Sequence, residues 1–380
     1  MNDNFKNEIN FSKDELVRYS RQITLPEFGI ESQKLLKSAS VLCVGAGGLG
    51  SSIILYLASA GVGKIGIIDN DIVELSNLHR QVIHNSSSIG ELKTISAKNR
   101  ISEINPNCEV KIFNETLSSE NALKIIEDFD YVCDGSDNFP AKYLVNDACV
   151  ILDKPLIYGA IFKFEGQVSV FNKNADSPNY RDLIPEPPPN GIVPTCAEGG
   201  VIGILPGIIG LIQATETIKI ITNIGETLDK RLLIFNALSM QFKELKLEKS
   251  NPPIEIKELI NYQNFCGIKA INPNQIDQIT CKEIKAYLEK TAEKLLLIDV
   301  RTETERSIDF IKNSVSIPLE NILDNSQIDL LKDKYKSDID IVLYCKSGIR
   351  SLKALNHLKE KNIKCKMLEG GMDAWNKLHI

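Results

Sequence analysis

Apolar residues fall in short unbroken runs along the first two thirds of the chain, each stopped by glycine or an acid. Ala39–Gly45 reads ASVLCVG, Lys64–Asp69 KIGIID, Tyr131–Asp134 YVCD and Pro155–Gly159 PLIYG. Continuous runs of this length suit parallel strands covered on both faces. Between them lie stretches that suit helices, Ser51–Ala60 and Ile89–Ile104. The alternation predicts an α/β fold with a doubly wound, mostly parallel sheet. The pattern breaks between Lys249 and Gln275, where Asn251-Pro252-Pro253, NYQNFCG and Asn272-Pro273 intervene. From Ile276 a second, smaller α/β pattern begins, with strands at Leu295–Val300 and Ile339–Cys345. The expected domains are therefore 1–250 and 276–380, joined by a linker over 251–275.

Composition narrows the class. At 380 residues the chain exceeds what one hydrophobic core usually serves. Net charge of −6 argues against broad nucleic-acid binding. The first fifteen residues hold no apolar core and read as no secretory signal. The greasiest stretch, Gly200–Gln213, reads as too short to span a bilayer and is cut by Pro206. Nine cysteines, an odd number with no CxxC pair, suit reduced thiols in the cytoplasm. No membrane and no nucleic acid are expected as partners.

Gly45-Ala46-Gly47-Gly48-Leu49-Gly50 places G-x-G-x-x-G between a predicted strand and a predicted helix. Gly45, Gly47, Gly48 and Gly50 let the backbone approach a phosphate, and the helix N-terminus offers unpaired amides. Asp69, nineteen residues after Gly50, is placed to accept hydrogen bonds from a ribose. The first domain thus reads as a Rossmann-like nucleotide binder, with NAD the default ligand.

The residues after Asp69 favour ATP. Ser76-Asn77-Leu78-His79-Arg80-Gln81 and then Lys93 come next, and a hydride-transfer site gains little from an arginine and a lysine there. An acyl-adenylate site needs such cations, because charge builds on the departing pyrophosphate. Asp137, in Asp134-Gly135-Ser136-Asp137-Asn138, closes another strand at its carboxyl end, and its carboxylate could hold Mg²⁺ between phosphates. Taken singly, a helix lysine is commonly solvated and an Asp-Asn pair is commonly a turn or cap.

Residues 15–250 resemble the MoeB/ThiF group, bacterial relatives of ubiquitin-activating enzymes. The resemblance rests on Arg18-Tyr19-Ser20-Arg21-Gln22-Ile23, the glycine loop, Tyr56–Gly63 (YLASAGVG), Ser76–Gln81, Asp134–Asn138 and Phe164-Glu165-Gly166-Gln167. It implies an adenylyltransferase that uses ATP and Mg²⁺ on the C-terminal glycine of a small ubiquitin-like sulfur carrier ending in Gly-Gly. It further implies nucleotide contacts at Gly48, Asp69, Ser76, Asn77, Arg80, Lys93, Asp137 and Asn138, with Leu78 and His79 in the same stretch. A homodimer is implied too, in which Arg21 reaches the nucleotide of the second subunit.

Members of the group usually carry two CxxC pairs that close a zinc site. This chain has Asn179-Tyr180-Arg181-Asp182 and Asn251–Ile256 at those places, so no zinc is expected. Cys196 stands where some relatives have a cysteine that becomes acylated or disulfide-linked to the carrier; a small residue packed under a crossover loop is the other reading. Cys43, Cys133, Cys149 and Cys365 sit in apolar runs and are expected in the core.

In the second domain Ile341–Tyr344 delivers Cys345, followed by Lys346-Ser347-Gly348-Ile349-Arg350 and a helix-like Ser351–Lys361. A cysteine between a strand end and a helix N-terminus faces converging amides that steady an anion on sulfur. Lys346 and Arg350 add positive charge. With Leu297–Arg301 and Glu369–Trp375, the loop resembles a single-domain rhodanese, and its six residues match the sulfurtransferase form rather than a longer, phosphatase-like one. The resemblance implies that Cys345 carries a persulfide from a donor such as a cysteine desulfurase, while Asp299 and Arg301 support the loop. The fused reading is adenylation of the carrier, then sulfur transfer from Cys345, with or without passage through Cys196. Molybdopterin synthesis is the favoured pathway; thiamine thiazole and tRNA thiolation are alternatives. An NAD oxidoreductase and a non-catalytic scaffold are the rivals of another class.

Overall fold

In the computed structural model, which describes residues 10–188, 200–267, 277–290, 294–336 and 339–378, the chain divides into two units, Met1–Lys269 and Ala270–Ile380. The apolar runs of the first unit form one sheet. Its strands are β1 (Ser40–Val44), β2 (Lys64–Ile68), β3 (Glu109–Phe113), β4 (Tyr131–Asp134), β5 (Leu156–Phe162), β6 (Glu165–Phe171), β7 (Arg231–Asn236) and β8 (Gln241–Lys246). They lie in the order β3-β2-β1-β4-β5-β6-β7-β8, the first five parallel and the last three antiparallel. Chain order reverses between β1 and β4, which opens a crevice at their carboxyl ends.

Both sheet faces are covered, and β1 shows why its run is apolar throughout. Val41 and Cys43 pack in one core with Ile53, Leu57 and Ile209, while Leu42 and Val44 pack in the other with Ile126, Tyr143 and Leu144. The helix after β1 spans Gly48–Ala60, three residues longer than its apolar spacing predicts, because the loop glycines form its first turn. The next starts at Lys93 rather than Ile89, since Gly90, at φ +90°, turns the chain.

The stretch read as too short for a bilayer continues into a 19-residue helix, Ile204–Thr222, long and apolar enough by length and composition to cross one. Pro206 does not cut it. It sits in the first turn, where its missing N–H breaks no helical bond. Leu205, Ile209 and Ala214 of this helix are buried in the first core.

The segment expected to link the domains is in large part structure. Ser119 Oγ donates to the Ile260 carbonyl (2.6 Å), Tyr262 Oη donates to Asp147 Oδ2 (2.6 Å), and Tyr262 and Cys266 are buried among Tyr143, Phe171 and Tyr180. Residues 251–267 thus belong to the first unit, held by tertiary contacts that composition does not reveal.

The second unit holds β9 (Gln278–Ile279), β10 (Leu295–Asp299), β11 (Val315–Ser316), β12 (Asp340–Tyr344) and β13 (Lys366–Leu368) in one parallel sheet, order β11-β10-β12-β13-β9. β12 is central. Ile341 and Leu343 enter one core, Val342 and Tyr344 the other.

Candidate functional site

At the crevice between the ends of β1 and β4 lies a cleft of about 360 Å³. It gathers Gly45, Gly47, Gly48, Asp69, Arg80, Lys93, Asp137 and Asn138, eight of the residues that the sequence nominates. Gly45, at φ +94°, turns the chain out of β1 against the Gly135 carbonyl. Gly50 lines no part of the cleft. A Cβ there would meet the Gly45 carbonyl oxygen at 2.0 Å, so its work is to let the loop fold on itself.

Asp69 is anchored to that loop. Its Oδ2 accepts the Ala46 N–H (2.8 Å) and its Oδ1 accepts the Asp71 N–H (2.8 Å), leaving a lone pair on each oxygen for a ribose hydroxyl. Lys93 is not the solvated lysine of the general case. It is 5% exposed, with Nζ 2.8 Å from Asp71 Oδ2. Arg80 Nη1 donates to the Ser76 carbonyl (3.1 Å). Asn138 Oδ1 caps helix Phe139–Ile151 by accepting the Ala141 N–H (3.0 Å), and Asp137 beside it is exposed. One residue is thus a cap and its neighbour is open to a ligand.

Ser76, Asn77, Leu78 and His79 do not line the cleft. They shape the turn that delivers Arg80: Asn77 Nδ2 donates to Ser76 Oγ (3.2 Å), His79 Nδ1 lies 3.0 Å from the Ser76 carbonyl, and Leu78 is half-buried. Arg21 is exposed in the last turn of helix Lys13–Ile23 and lines no part of its own chain's cleft. Cys196 lies outside the described residues.

Three residues in or beside the cleft lie outside the contacts that the sequence nominates. His84 is buried, its Nε2–H donating to the Ala46 carbonyl (3.0 Å) while Nδ1 meets Ser96 Oγ (2.9 Å). Burial lowers its pKa, so the neutral ring braces the loop. Lys142 Nζ, at the cleft wall, bonds Asp134 Oδ2 (2.8 Å) and the Gly159 carbonyl (2.7 Å), forming a buried ion pair close to Asp137 in sequence. Gln81 also lines the cleft. The spacing from Arg80 to His84 is the one local signal for the histidine; the lysine pair depends on tertiary packing alone.

The places where the zinc pairs would stand hold a polar clasp. Asn179 and Asp182 close a capped turn, Asp182 Oδ1 accepts the Ser250 N–H (2.8 Å), and Arg181 bonds Asp147 through Nε (2.9 Å) and Nη2 (2.7 Å). Among the described residues no cluster of His, Cys, Asp or Glu is arranged to hold a metal. A magnesium ion here would take most of its ligands from phosphate and water, and Asp137 is an exposed cleft carboxylate that could hold it, as are Asp71 and Glu115.

In the second unit Cys345 follows β12 and is 1% exposed. Its Sγ accepts the Gly348 N–H (3.1 Å) and the Ser351 N–H (3.5 Å), and Ser351 Oγ lies 3.4 Å away. Gly348, at φ +103°, makes this turn, and helix Ile349–Glu360 starts from it. Arg350 departs from expectation. Its guanidinium is paired with Glu305 (both contacts 2.6 Å), so its charge is committed to that carboxylate, while Lys346 is exposed. Burial pushes the Glu305 carboxyl up, but the Arg350 hydrogen bonds and the Thr302 N–H outweigh it, and the pKa stands at about 2. Asp299 and Arg301 form a buried pair (2.8 Å), with Arg301 also on Asp309 (3.0 Å) and its guanidinium over the Tyr344 ring. Cys43, Cys133, Cys149 and Cys365 are buried in the cores, and burial pushes Cys365 up to about 12.

The ThiF family model matches residues 19–255, and the rhodanese-like domain model matches residues 280–378. The chain is 45% identical over 373 residues to a probable adenylyltransferase/sulfurtransferase MoeZ of Mycobacterium tuberculosis, covering 96% of this chain and 94% of that protein. It is 39% identical over 379 residues to a probable molybdopterin-synthase adenylyltransferase of Porphyra purpurea, covering 97% and 94%. Among solved structures, Escherichia coli MccB superposes with a TM-score of 0.57 at 21% identity, over 65% of this chain and 73% of that one, a likeness of fold alone.

Proposed function

The chain belongs to the ThiF family and continues into a rhodanese-like domain, and from that premise we propose that it activates the C-terminal glycine of a small ubiquitin-like sulfur carrier and converts it to a thiocarboxylate. It is an adenylyltransferase and a sulfurtransferase. The observation that carries the reading is the pairing of two sites in one chain: a phosphate cleft with two cations, and a thiol set among backbone amides.

ATP lies along the glycine loop, with its ribose hydroxyls on Asp69. The carrier's carboxylate oxygen attacks the α-phosphorus, the bond to pyrophosphate breaks, and an acyl-adenylate remains. Arg80 and Lys93 hold the pyrophosphate charge as it develops. Lys93 keeps its place through Asp71, which leaves two further donors on the ammonium. Asp137 would hold magnesium at the phosphates, where the ion would supply charge neutralisation. Arg21, exposed and not among the residues lining its own cleft, serves the cleft of a second subunit in a homodimer.

The terminal sulfur of a Cys345 persulfide then attacks the activated carbonyl and AMP leaves. This gives an acyl disulfide between carrier and Cys345. A second thiol, for which Cys196 is the candidate, attacks Cys345 Sγ, releases the thiocarboxylate and leaves a disulfide for an external dithiol to reduce. A cysteine desulfurase supplies the next persulfide sulfur, in a reducing cytoplasm. The product serves molybdopterin synthesis, the role named for the Porphyra relative. ATP–pyrophosphate exchange that depends on a protein ending in Gly-Gly tests the first half: it should fall steeply in Arg80→Ala and Asp137→Ala, and unchanged exchange in both would remove those residues from the site.

A further inference from the structure

The loop from Cys345 to Arg350 carries two cations, Lys346 and Arg350. Arg350 is 8% exposed, and its Nη1 and Nη2 each donate to a Glu305 oxygen at 2.6 Å, a fork-to-fork ion pair. Glu305 is itself fixed, because its Oε2 accepts the Thr302 N–H (3.1 Å) in the capping box of helix Glu303–Ile308. Burial raises its carboxyl, but Arg350 and Thr302 bring it down to about 2, so it is ionised at neutral pH. Lys346 is exposed, and its positive field also falls on Asp309. What meets Cys345 Sγ directly is dipolar, the N–H groups of Gly348 and Ser351.

That balance of charge bears on which sulfur donors the thiol can use. Thiosulfate is a dianion: the Cys345 thiolate attacks its outer sulfur, the S–S bond breaks, and sulfite leaves as a dianion. A persulfide on a protein cysteine is a monoanion at most; attack on its outer sulfur breaks the S–S bond and releases the donor's thiolate. An uncompensated arginine in this loop would favour the dianion, since Coulomb attraction grows with the charge of the incoming group. Glu305 cancels that advantage. We propose that Glu305 is a specificity-determining residue acting through Arg350: by offsetting the guanidinium charge it weakens the site's hold on dianionic inorganic donors relative to donors of lower charge. The proposal rests on the reading of Cys345 as the sulfur-carrying thiol.

Thiosulfate and benzenethiosulfonate, a dianion and a monoanion, both give up sulfur by the same S–S cleavage. Transfer to cyanide is measured with each, and the quantity read is kcat/KM for the dianion divided by kcat/KM for the monoanion. Glu305→Gln keeps an acceptor for the capping box and removes the charge, and should raise that ratio about fivefold. Arg350→Gln leaves Glu305 uncompensated and should lower the ratio about fivefold. The double variant should return it to within about twofold of wild type. Damage to the loop alone would lower both kcat/KM values together and leave the ratio level. A level ratio in Glu305→Gln, or a shift of the same sign in both single variants, would overturn the proposal while leaving Cys345 as the sulfur carrier. Wild-type protein that takes sulfur from neither donor would overturn that reading and the proposal together.

Discussion

Asp69 Oδ2 accepts the Ala46 N–H at 2.8 Å, so the acid that ends the β2 run is fastened to the loop after β1. One carboxylate thereby fixes the glycine-loop backbone, and in the proposed function it also receives the ribose. Asp69→Ala should raise the ATP KM in exchange by about tenfold to a hundredfold, since two charge-assisted contacts go together. Thiosulfate:cyanide transfer should not change. An ATP KM that stays level would place the nucleotide elsewhere.

His84 holds the carbonyl of the same Ala46. Burial depresses its pKa, aided by Lys93 and opposed by the Ala46 bond and Asp69. The folded state therefore prefers the neutral ring. Its contribution to stability is present above the unfolded pKa of about 6.5 and is lost as pH falls through the folded value. Thermal midpoints measured from pH 8 to pH 5 should fall more steeply in wild type than in His84→Gln below about pH 6.5. His84→Ala should cost about 1–3 kcal/mol, because the Ala46 carbonyl and Ser96 hydroxyl lose a buried partner. Parallel pH profiles would contradict the account.

Gly348 gives Cys345 its nearest amide and does so at φ +103°, with a Cβ there meeting Met367 Cε at 3.2 Å. Gly348→Ala should strain the turn by about 1–2 kcal/mol and move that amide. Thiosulfate:cyanide transfer should drop about tenfold or more, and Cys345→Ala should abolish it, while exchange continues in both. Loss of exchange in either variant would contradict the separation of the two chemistries.

The clasp around Asp147 ties the turn at 179–182 to Ser250 and Tyr262 by hydrogen bonds. Asp147 accepts from Arg181 and from Tyr262 Oη, the latter at 2.6 Å. Breaking a buried pair leaves an uncompensated charge, so Arg181→Met should destabilise the first unit by about 3–5 kcal/mol. A strong chelator should leave the wild-type melting curve in place, and elemental analysis should find no stoichiometric zinc. A midpoint that falls on chelation would show a metal at work.

Sequence alone reaches those features in which local pattern and chemistry coincide. The strand–glycine–helix order, Asp69 nineteen residues beyond Gly50, and Cys345 between a strand and a helix are each readable from neighbours in the chain. The features that stay hidden depend on distant residues meeting. Arg350 reads as a cation for the thiol loop until Glu305, forty-five positions earlier, is seen to take it. Lys142 on Asp134, His84 on Ala46 and Tyr262 on Asp147 are likewise contacts across the fold. Pro206 misleads for a related reason: its effect depends on where the helix begins, and the helix begins two residues before it.

One chain, on this account, both activates the carrier's carboxyl terminus and replaces its oxygen with sulfur. Incubation with ATP, magnesium, a persulfide donor, a dithiol and the Gly-Gly carrier, followed by intact-mass analysis of the carrier, tests it in one step. The prediction is a carrier heavier by one oxygen-to-sulfur exchange, with wild-type protein only; Cys345→Ala stops at the adenylate and Arg80→Ala leaves the carrier unmodified. A sulfur-bearing carrier formed by Cys345→Ala, or none formed by wild type, would contradict it.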